Sequence, residues 1–382
     1  MRMLVLGAGL QGSACAYDLL QNPEVTQVRL ADLHFDHLPA FLKPLAGPRL
    51  IPTPLDVRDR EAVLALMREC DAVMSAIPYY FNFQLAQCAV EAGVHFCDLG
   101  GNTEIVFEQK ELAAAATAKG VTVVPDCGVA PGMVNILAEY GIAQMDSVDA
   151  VRIFVGGLPQ HPEPPLNYKI VYSLEGVIDY YTTLSWVLRD GERVQVTALS
   201  ELETVTFPEP VGDLEAFHTA GGLSTMAFRY EGKIPSMEYK TLRYPGHAAI
   251  MKTIRELGLF DLEPVDVKGT KVIPRDVFVS VVGPKLAKPD SRDLLALRVT
   301  VTGTKGGKKA RRQFDLVDRF DETIGVSAMM RTTGYSLSIT GQMQVRGEVS
   351  PPGVWTPDEC MPAEAYIAEL RARGMDLRES SE

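Results

Sequence analysis

The run Gly7-Ala8-Gly9-Leu10-Gln11-Gly12, directly behind the apolar segment Met3–Leu6, constrains this chain more than any other feature. Three glycines at that spacing mark a tight turn from a strand into a helix whose start is left open to a phosphate. Gly7 permits the turn, Gly9 lets a pyrophosphate approach the backbone, and Gly12 lets helix and strand pack closely. Leu10–Leu20 has helical spacing, Val28–Ala31 reads as a second strand, and Asp32 follows it twenty residues after Gly12. A carboxylate there accepts hydrogen bonds from both ribose hydroxyls and repels a 2′-phosphate. The expectation is an NAD site built from Gly7, Gly9, Leu10, Gln11, Gly12 and Asp32.

Strand-like and helical segments keep alternating to Val121–Pro125, which predicts βαβ units and a doubly wound parallel sheet of the Rossmann type over residues 1-132. Ligands of such sheets bind beyond the carboxyl ends of the strands. Ala76, Ile77, Pro78 and Tyr79, after the strand Ala72–Ala76, are therefore expected beside the ribose and nicotinamide, and Asp98 likewise after Val94–Leu99. Asp56, ending the weaker strand Arg49–Pro54, reads equally as an adenine neighbour or a turn residue.

From about residue 148 longer runs with alternating character take over: Val148–Val155, Tyr168–Ser173, Ser236–Tyr244, Val277–Val282 and Leu294–Thr302. They predict a second domain over 133-345, of α+β type with a mainly antiparallel sheet, which binds substrate and suits a homodimer or higher homo-oligomer. The segment 346-382 is expected to pack back on the first domain, with a helix over Pro362–Arg373 and a frayed, charged end. A length of 382 residues suffices for two such cores.

Composition excludes other classes. A net charge of −12 argues against nucleic acid and anionic membrane surfaces. Met1–Ala16 imitates a signal peptide, but its apolar run is short and broken by Gly7, Gly9 and Gln11, so a cytoplasmic protein is expected. The six cysteines are scattered without a CxxC pair and read as reduced thiols. His34 and His37 stand three apart with no other ligand type around them, and no metal is expected.

Several further stretches carry a likeness. They are Asp98-Leu99-Gly100-Gly101, Pro125-Asp126-Cys127-Gly128-Val129-Ala130-Pro131-Gly132, Gly156-Gly157-Leu158-Pro159 and Ser173-Leu174-Glu175-Gly176. Glu215-Ala216-Phe217-His218-Thr219, Tyr239-Lys240-Thr241-Leu242-Arg243-Tyr244 and Pro274-Arg275-Asp276-Val277 continue it. With the glycine loop, these resemble the saccharopine dehydrogenase family, and within it the NAD-dependent lysine 6-dehydrogenases. The resemblance implies oxidation of the ε-amine of L-lysine to allysine, which cyclises to 1-piperideine-6-carboxylate, with release of ammonia. Saccharopine reductases carry Asp-Pro-Gly where this chain has Ala130-Pro131-Gly132, which weakens the case for saccharopine.

Such chemistry dictates the residue types to look for. An ammonium must lose its proton before hydride leaves the neighbouring carbon, and water must then attack the iminium, so a base is needed. An α-carboxylate needs a fixed cation, best an arginine fork. His218, Lys240 and Asp126 are the candidate acid/base groups, although the Asp126 carboxylate could instead cap the helix near Pro131. Arg243 is the candidate carboxylate clamp, with Tyr79, Thr219 and Glu175 as further substrate contacts; Glu175 reads equally as a helix cap. The alternatives are a saccharopine-type or carboxynorspermidine-type reductase that forms a secondary amine, and a non-catalytic NAD-binding sensor.

Overall fold

The computed structural model describes residues 1–35, 38–288 and 290–382, so His37 lies outside the described residues. Strands β1 (Arg2–Leu6), β2 (Gln27–Asp32), β3 (Leu50–Pro54), β4 (Ala72–Ser75), β5 (His95–Asp98) and β6 (Thr122–Val124) pair in parallel in the order β3-β2-β1-β4-β5-β6. Helices α1 (Leu10–Gln21), α2 (Arg60–Met67), α3 (Asn82–Ala92), α4 (Thr103–Lys110) and α5 (Ala113–Lys119) lie between them in the chain. Met3–Leu6 of β1 is buried throughout, as a strand covered on both faces must be. The strand order reverses at β1 and β4, and the crevice beyond their carboxyl ends receives the glycine loop and Ala76–Pro78.

The chain then runs through α6 (Met133–Ile142), the long β7 (Ser147–Pro159), α7 (Leu174–Thr182), β8 (Ser185–Arg189), β9 (Glu192–Val196), β10 (Glu203–Thr206) and β11 (Asp213–His218). Next come α8 (Met226–Arg229), β12 (Ser236–Arg243), α9 (His247–Glu256), the hairpin β13 (Val265–Val267) and β14 (Thr270–Val272), and α10 (Pro274–Ala287). Last are β15 (Asp293–Lys305), β16 (Lys308–Arg319), α11 (Ala328–Val345), β17 (Gly353–Val354), α12 (Pro357–Cys360), α13 (Ala363–Ala372) and β18 (Arg378–Ser381). The second sheet follows the path β10-β11-β12-β7-β15-β16-β18, with the β8–β9 hairpin beside β12. Only β7 and β12 pair in parallel along it, so the sheet is mixed but mainly antiparallel.

Three local expectations are corrected. Val277–Val282 is not a strand but part of α10, because Pro274 at the first helical position and Asp276 in the first turn start a helix despite the β-branched run. Tyr168–Ser173 forms no strand; it is a loop ending in Ser173, whose hydroxyl caps α7 by accepting the Gly176 N–H at 3.2 Å. The charged end does not fray, since β18 pairs with β16 from Arg378 to Ser381.

Helix α11, expected in the second domain, lies between the two sheets and against α1. A Cβ on Gly334 would stand 2.7 Å from the Ala14 Cβ, and one on Gly341 2.5 Å from the Met74 sulfur. One apolar core consequently runs from Met3 and Ala14 through Leu337 to Ile153 and Val299. The segment after 345 extends the first sheet through β17, parallel to β6, before reaching the second through β18. Among the described residues no helix is long and apolar enough to cross a membrane.

Candidate active site

Beyond the carboxyl ends of β1 and β4 lies a cavity of about 590 Å³. Gly7 holds φ at +98°, and a Cβ there would meet the Ala76 carbonyl oxygen at 2.7 Å. A Cβ on Gly12 would stand 1.9 Å from the Gly7 carbonyl oxygen. Gly9 instead faces open space, with nothing within 4 Å of where its Cβ would be, and no side chain caps the helix behind it. Unpaired N–H groups and positive potential at an open backbone are what a pyrophosphate requires. The Asp32 carboxylate accepts the N–H groups of Ala8 at 2.6 Å and Leu33 at 2.7 Å, which fixes it beside the loop with acceptor capacity remaining. These residues fit a nicotinamide dinucleotide. Gly9, Leu10, Gln11, Ala76, Ile77, Pro78 and Tyr79 all face the cavity.

Two acidic candidates of the first domain lie elsewhere. Asp56 takes the turn alternative: its carboxylate pairs with Arg58 at 2.6 Å, and hydrogen bonds from that guanidinium pull its pKa down to about 2. Asp98 is buried beneath the cavity, where it accepts the Gly100 N–H at 2.7 Å and the Gln109 amide at 2.8 Å. Burial raises its pKa to about 6, and it shapes the wall through Gly100 without facing the cavity itself.

The other wall is decided by strand alternation. The pairing of β11 with β12 sets Phe217 opposite Thr241, His218 opposite Lys240 and Glu215 opposite Arg243. Successive side chains of a strand point to opposite faces, so Tyr239, Thr241 and Arg243 face the cavity and Lys240 does not. Lys240 Nζ lies 2.6 Å from the Glu203 carboxylate, and His218 Nε2 lies 3.0 Å from that of Glu201. Arg189 sits 2.8 Å from both Glu201 and Glu238, and Arg152 joins Glu238 to Glu203. The ligand-type atoms of Glu201, His218 and Glu238 fall within 4.8 Å of one another, but these arginines already meet the carboxylates. The acid/base expectation for His218 and Lys240 is thus corrected: both belong to an ion network on the far face of the sheet, and burial lowers the His218 pKa.

Asp126 is corrected as well. It holds φ at 62°. One carboxylate oxygen accepts the Gly101 N–H at 3.3 Å and the other accepts the Ser224 hydroxyl, so it ties the first domain to the loop after β11. It does not cap α6, whose first residues are held by Asn135 through the Gly132 N–H at 2.6 Å. Burial, with the Asp98 charge adding, raises its pKa to about 7.

Arg243 is 3% exposed. Its Nη1 donates to the Leu242 carbonyl at 2.8 Å, its guanidinium lies 4.8 Å from the Tyr168 ring centroid, and its Nε has no partner. The carboxylate across the strand, Glu215, turns away to the N–H groups of Gly246 and Ala248. A buried cation without a counter-charge is costly, and a ligand carboxylate would complete it. Thr219 hydrogen-bonds Thr241 at 2.7 Å nearby. Glu175, Gly176, Asp179 and Tyr180 of α7 close the opposite rim, with Asp179 held by Arg275 at 2.6 Å. Arg243, Tyr79, Glu175 and Thr219 therefore converge on one cavity. Sequence reasoning missed Tyr239 and Thr241, signalled by two-residue steps from Arg243, and Asp179, four residues after Glu175 on one helix.

A family model described as the saccharopine dehydrogenase NADP binding domain matches residues 3–124, and one described as the saccharopine dehydrogenase C-terminal domain matches residues 128–375. The chain is 28% identical over 222 residues to the mitochondrial α-aminoadipic semialdehyde synthase of Mus musculus, covering 56% of this chain and 24% of that protein. It thus spans about a quarter of that relative's length. Carboxyaminopropylagmatine dehydrogenase of Synechocystis sp. is 19% identical, with 99% of this chain and 97% of that protein covered. Among solved structures, apo saccharopine dehydrogenase (L-Glu forming) of Saccharomyces cerevisiae superposes with a TM-score of 0.81 at 20% identity, covering 100% of this chain and 99% of that one. This last likeness is one of fold.

Proposed function

Because the chain belongs to the saccharopine dehydrogenase family, we propose that it is an NAD-dependent dehydrogenase that oxidises the ε-amine of L-lysine, giving allysine, which cyclises to 1-piperideine-6-carboxylate, and ammonia. The observation that carries this reading is the charge inventory of the cavity. Among the described residues lining it, Arg243 is the one cation, and Glu175 and Asp179 are the carboxylates. A single buried guanidinium without a counter-ion suits a single carboxylate. Asp179 is already met by Arg275, which leaves Glu175 as the rim carboxylate that suits an ammonium group. Saccharopine brings additional carboxylates that this wall gives no cation to meet.

When bound, the dinucleotide supplies the hydride acceptor. The chain's part is to bind, orient and dry the substrate. Arg243 grips the α-carboxylate with a planar fork, which directs the far end of the chain toward the Ala76–Pro78 wall. The lone pair of the amine must form the C=N bond as hydride leaves, so the ammonium first gives up a proton to solvent water at the cavity mouth; a cavity of low polarity favours the neutral amine. Water then adds to the iminium carbon, its oxygen becomes the aldehyde oxygen, and ammonia departs. His218, Lys240 and Asp126 stand outside this chemistry. The charge of Asp32 supports NAD over NADP.

The test is cofactor reduction. Lysine with NAD and no other substrate is expected to yield NADH and ammonia. NADH consumption with an aldehyde plus an amine, and none of the lysine reaction, would replace this reading with secondary-amine formation. Exposed apolar side chains at Leu257, Leu262, Val265, Val267 and Val281 support a homo-oligomer, which light scattering tests.

A further inference from the structure

Lysine oxidation leaves one demand without a named group. Hydrolysis of the iminium moves both protons of the attacking water from oxygen to nitrogen, while the two atoms share one carbon. Direct transfer between them closes a four-membered ring, far from the nearly straight path that a hydrogen bond offers a proton. A hydroxyl beside both atoms removes the difficulty, because it accepts one proton as it donates another. The carboxylates of the cavity are engaged otherwise: Asp179 is held by Arg275 at 2.6 Å, and Glu175 stands on the rim.

Three hydroxyls meet that demand on the wall that carries Arg243. The Thr219 and Thr241 hydroxyls lie 2.7 Å apart, that of Tyr239 stands 3.5 Å from the same Thr241 oxygen, and all three residues line the cavity. Strand β12 serves as a ruler. At about 3.3 Å per residue, Thr241 lies roughly 7 Å and Tyr239 roughly 13 Å from Arg243 along it. The guanidinium stays low over the strand, since Nη1 donates to the Leu242 carbonyl at 2.8 Å. The five C–C bonds of lysine from carboxylate to ε-carbon span roughly 6 Å. A lysine gripped at Arg243 and laid along β12 therefore brings its ε-carbon abreast of Thr241. The same direction leads to the first domain: a Cβ on Gly222 would meet the Tyr239 ring at 2.3 Å, and one on the adjoining Gly221 would stand 3.9 Å from the Gly101 carbonyl oxygen. Burial raises the Tyr239 pKa, so this hydroxyl keeps its proton and works as a neutral carrier.

Building on the lysine reading, we propose that Thr219, Thr241 and Tyr239 form a proton relay for the hydrolysis step. The water oxygen forms the C–O bond as the π pair of the C=N bond moves to nitrogen. One water proton passes through the relay to that nitrogen. The second follows as the C–N bond breaks and its electron pair leaves with nitrogen. Oxygen remains doubly bonded to carbon in the aldehyde, nitrogen departs as ammonium, and the relay ends as it began.

Stopped-flow and steady-state kinetics with lysine and NAD test the relay, with circular dichroism as the folding control. Tyr239→Phe keeps the ring and Thr241→Val keeps the shape, and each removes one hydroxyl. Each is expected to give a burst of about one NADH per site at the native rate, followed by turnover slowed at least about tenfold. Their kcat and KM should fall together and leave kcat/KM within about twofold, because hydride transfer precedes the impaired step. Thr241→Ser keeps the hydroxyl and is expected to hold kcat within about twofold of native. A variant that loses the burst as well overturns the relay, since its hydroxyl then serves binding or hydride transfer. Native turnover in both variants overturns it too. So does a Thr241→Ser enzyme as slow as Thr241→Val, which would assign the effect to packing. A native enzyme inert toward lysine brings down the proposed reaction first, and the relay with it.

Discussion

The guanidinium of Arg243 lies 4.8 Å from the ring centroid of Tyr168, and its Nε faces no acceptor. An aromatic face steadies the cation without neutralising it, so the free enzyme holds a positive charge ready for a ligand carboxylate. Arg243→Lys keeps the charge but loses the fork. Steady-state kinetics on lysine are expected to show KM raised at least about tenfold with kcat changed far less, the pattern of lost uniform binding. Cadaverine, which lacks the carboxylate, should be a poor substrate of the native enzyme. If the two substrates are turned over alike, Arg243 is not the clamp.

The far face of the same strand gives the complementary expectation. Lys240 is tied to Glu203 and His218 to Glu201, behind the sheet. Lys240→Met and His218→Gln should lower the melting temperature modestly, because each removes one contact from a partly buried network and leaves Glu203 to Arg152 and Glu201 to Arg189, while kcat for lysine stays within about twofold. A large loss of kcat in a variant that melts like the native protein would restore an acid/base role.

This error was avoidable from the sequence. Lys240 and Arg243 are three apart in one strand, and an odd separation turns two side chains to opposite faces. Choosing Arg243 for the substrate excluded Lys240, and the same parity selects Tyr239 and Thr241. The glycine loop was legible because each glycine answers a separate steric demand, visible in the contacts a Cβ would make at Gly7 and Gly12. Of the site's other wall, Glu175 was named from the sequence but Asp179 and Tyr180 were not. Tyr180 reaches it only because α7 follows the irregular Tyr168–Ser173 loop, and no local pattern fixes where such a loop carries a helix. Likewise Val277–Val282 looks extended until Pro274 is weighed as a helix start.

Two glycines of one loop should fail differently. Gly9 has open space around its missing Cβ, so Gly9→Val is expected to abolish NAD binding by calorimetry while circular dichroism stays native. A Cβ on Gly12 would meet the Gly7 carbonyl oxygen at 1.9 Å, so Gly12→Ala must push helix and strand apart. Overpacking of this kind costs roughly 1–3 kcal/mol or more, and the expected readout is a lower melting temperature even without cofactor. Gly9→Val with native NAD affinity would mean the phosphates lie elsewhere.

The proposed preference for NAD rests on Asp32. Its carboxylate is anchored by the N–H groups of Ala8 and Leu33 at the end of β2, beside the glycine loop. NAD is expected to be preferred over NADP at least about tenfold in kcat/KM, and Asp32→Ser should shrink the ratio by relieving the charge against a 2′-phosphate. A native enzyme indifferent to the phosphate would remove Asp32 from that role.

The last expectation concerns the Asp126 carboxylate, which joins the Gly101 N–H to the Ser224 hydroxyl across the two domains. Burial, reinforced by Asp98, raises its pKa to about 7, well above that of an exposed aspartate. The sign follows from linkage: the folded chain holds this proton more tightly than the unfolded chain does. The stability it contributes is complete below the unfolded value of about 4 and is lost as pH rises through about 7. Asp98, raised to about 6 by burial, acts in the same direction, so the pair titrates as a unit. Asp126→Asn keeps an acceptor for Gly101, turns an amide donor toward Ser224, and tolerates the left-handed backbone at φ 62°. It never has to bury a charge. Thermal melts from pH 5 to pH 8 should therefore fall less steeply for the variant than for the native protein. The two should be close at pH 5, and the variant should melt at least about 2 °C higher at pH 8. Parallel curves across that range would mean the carboxylate is ionised throughout and its burial offset by contacts other than these.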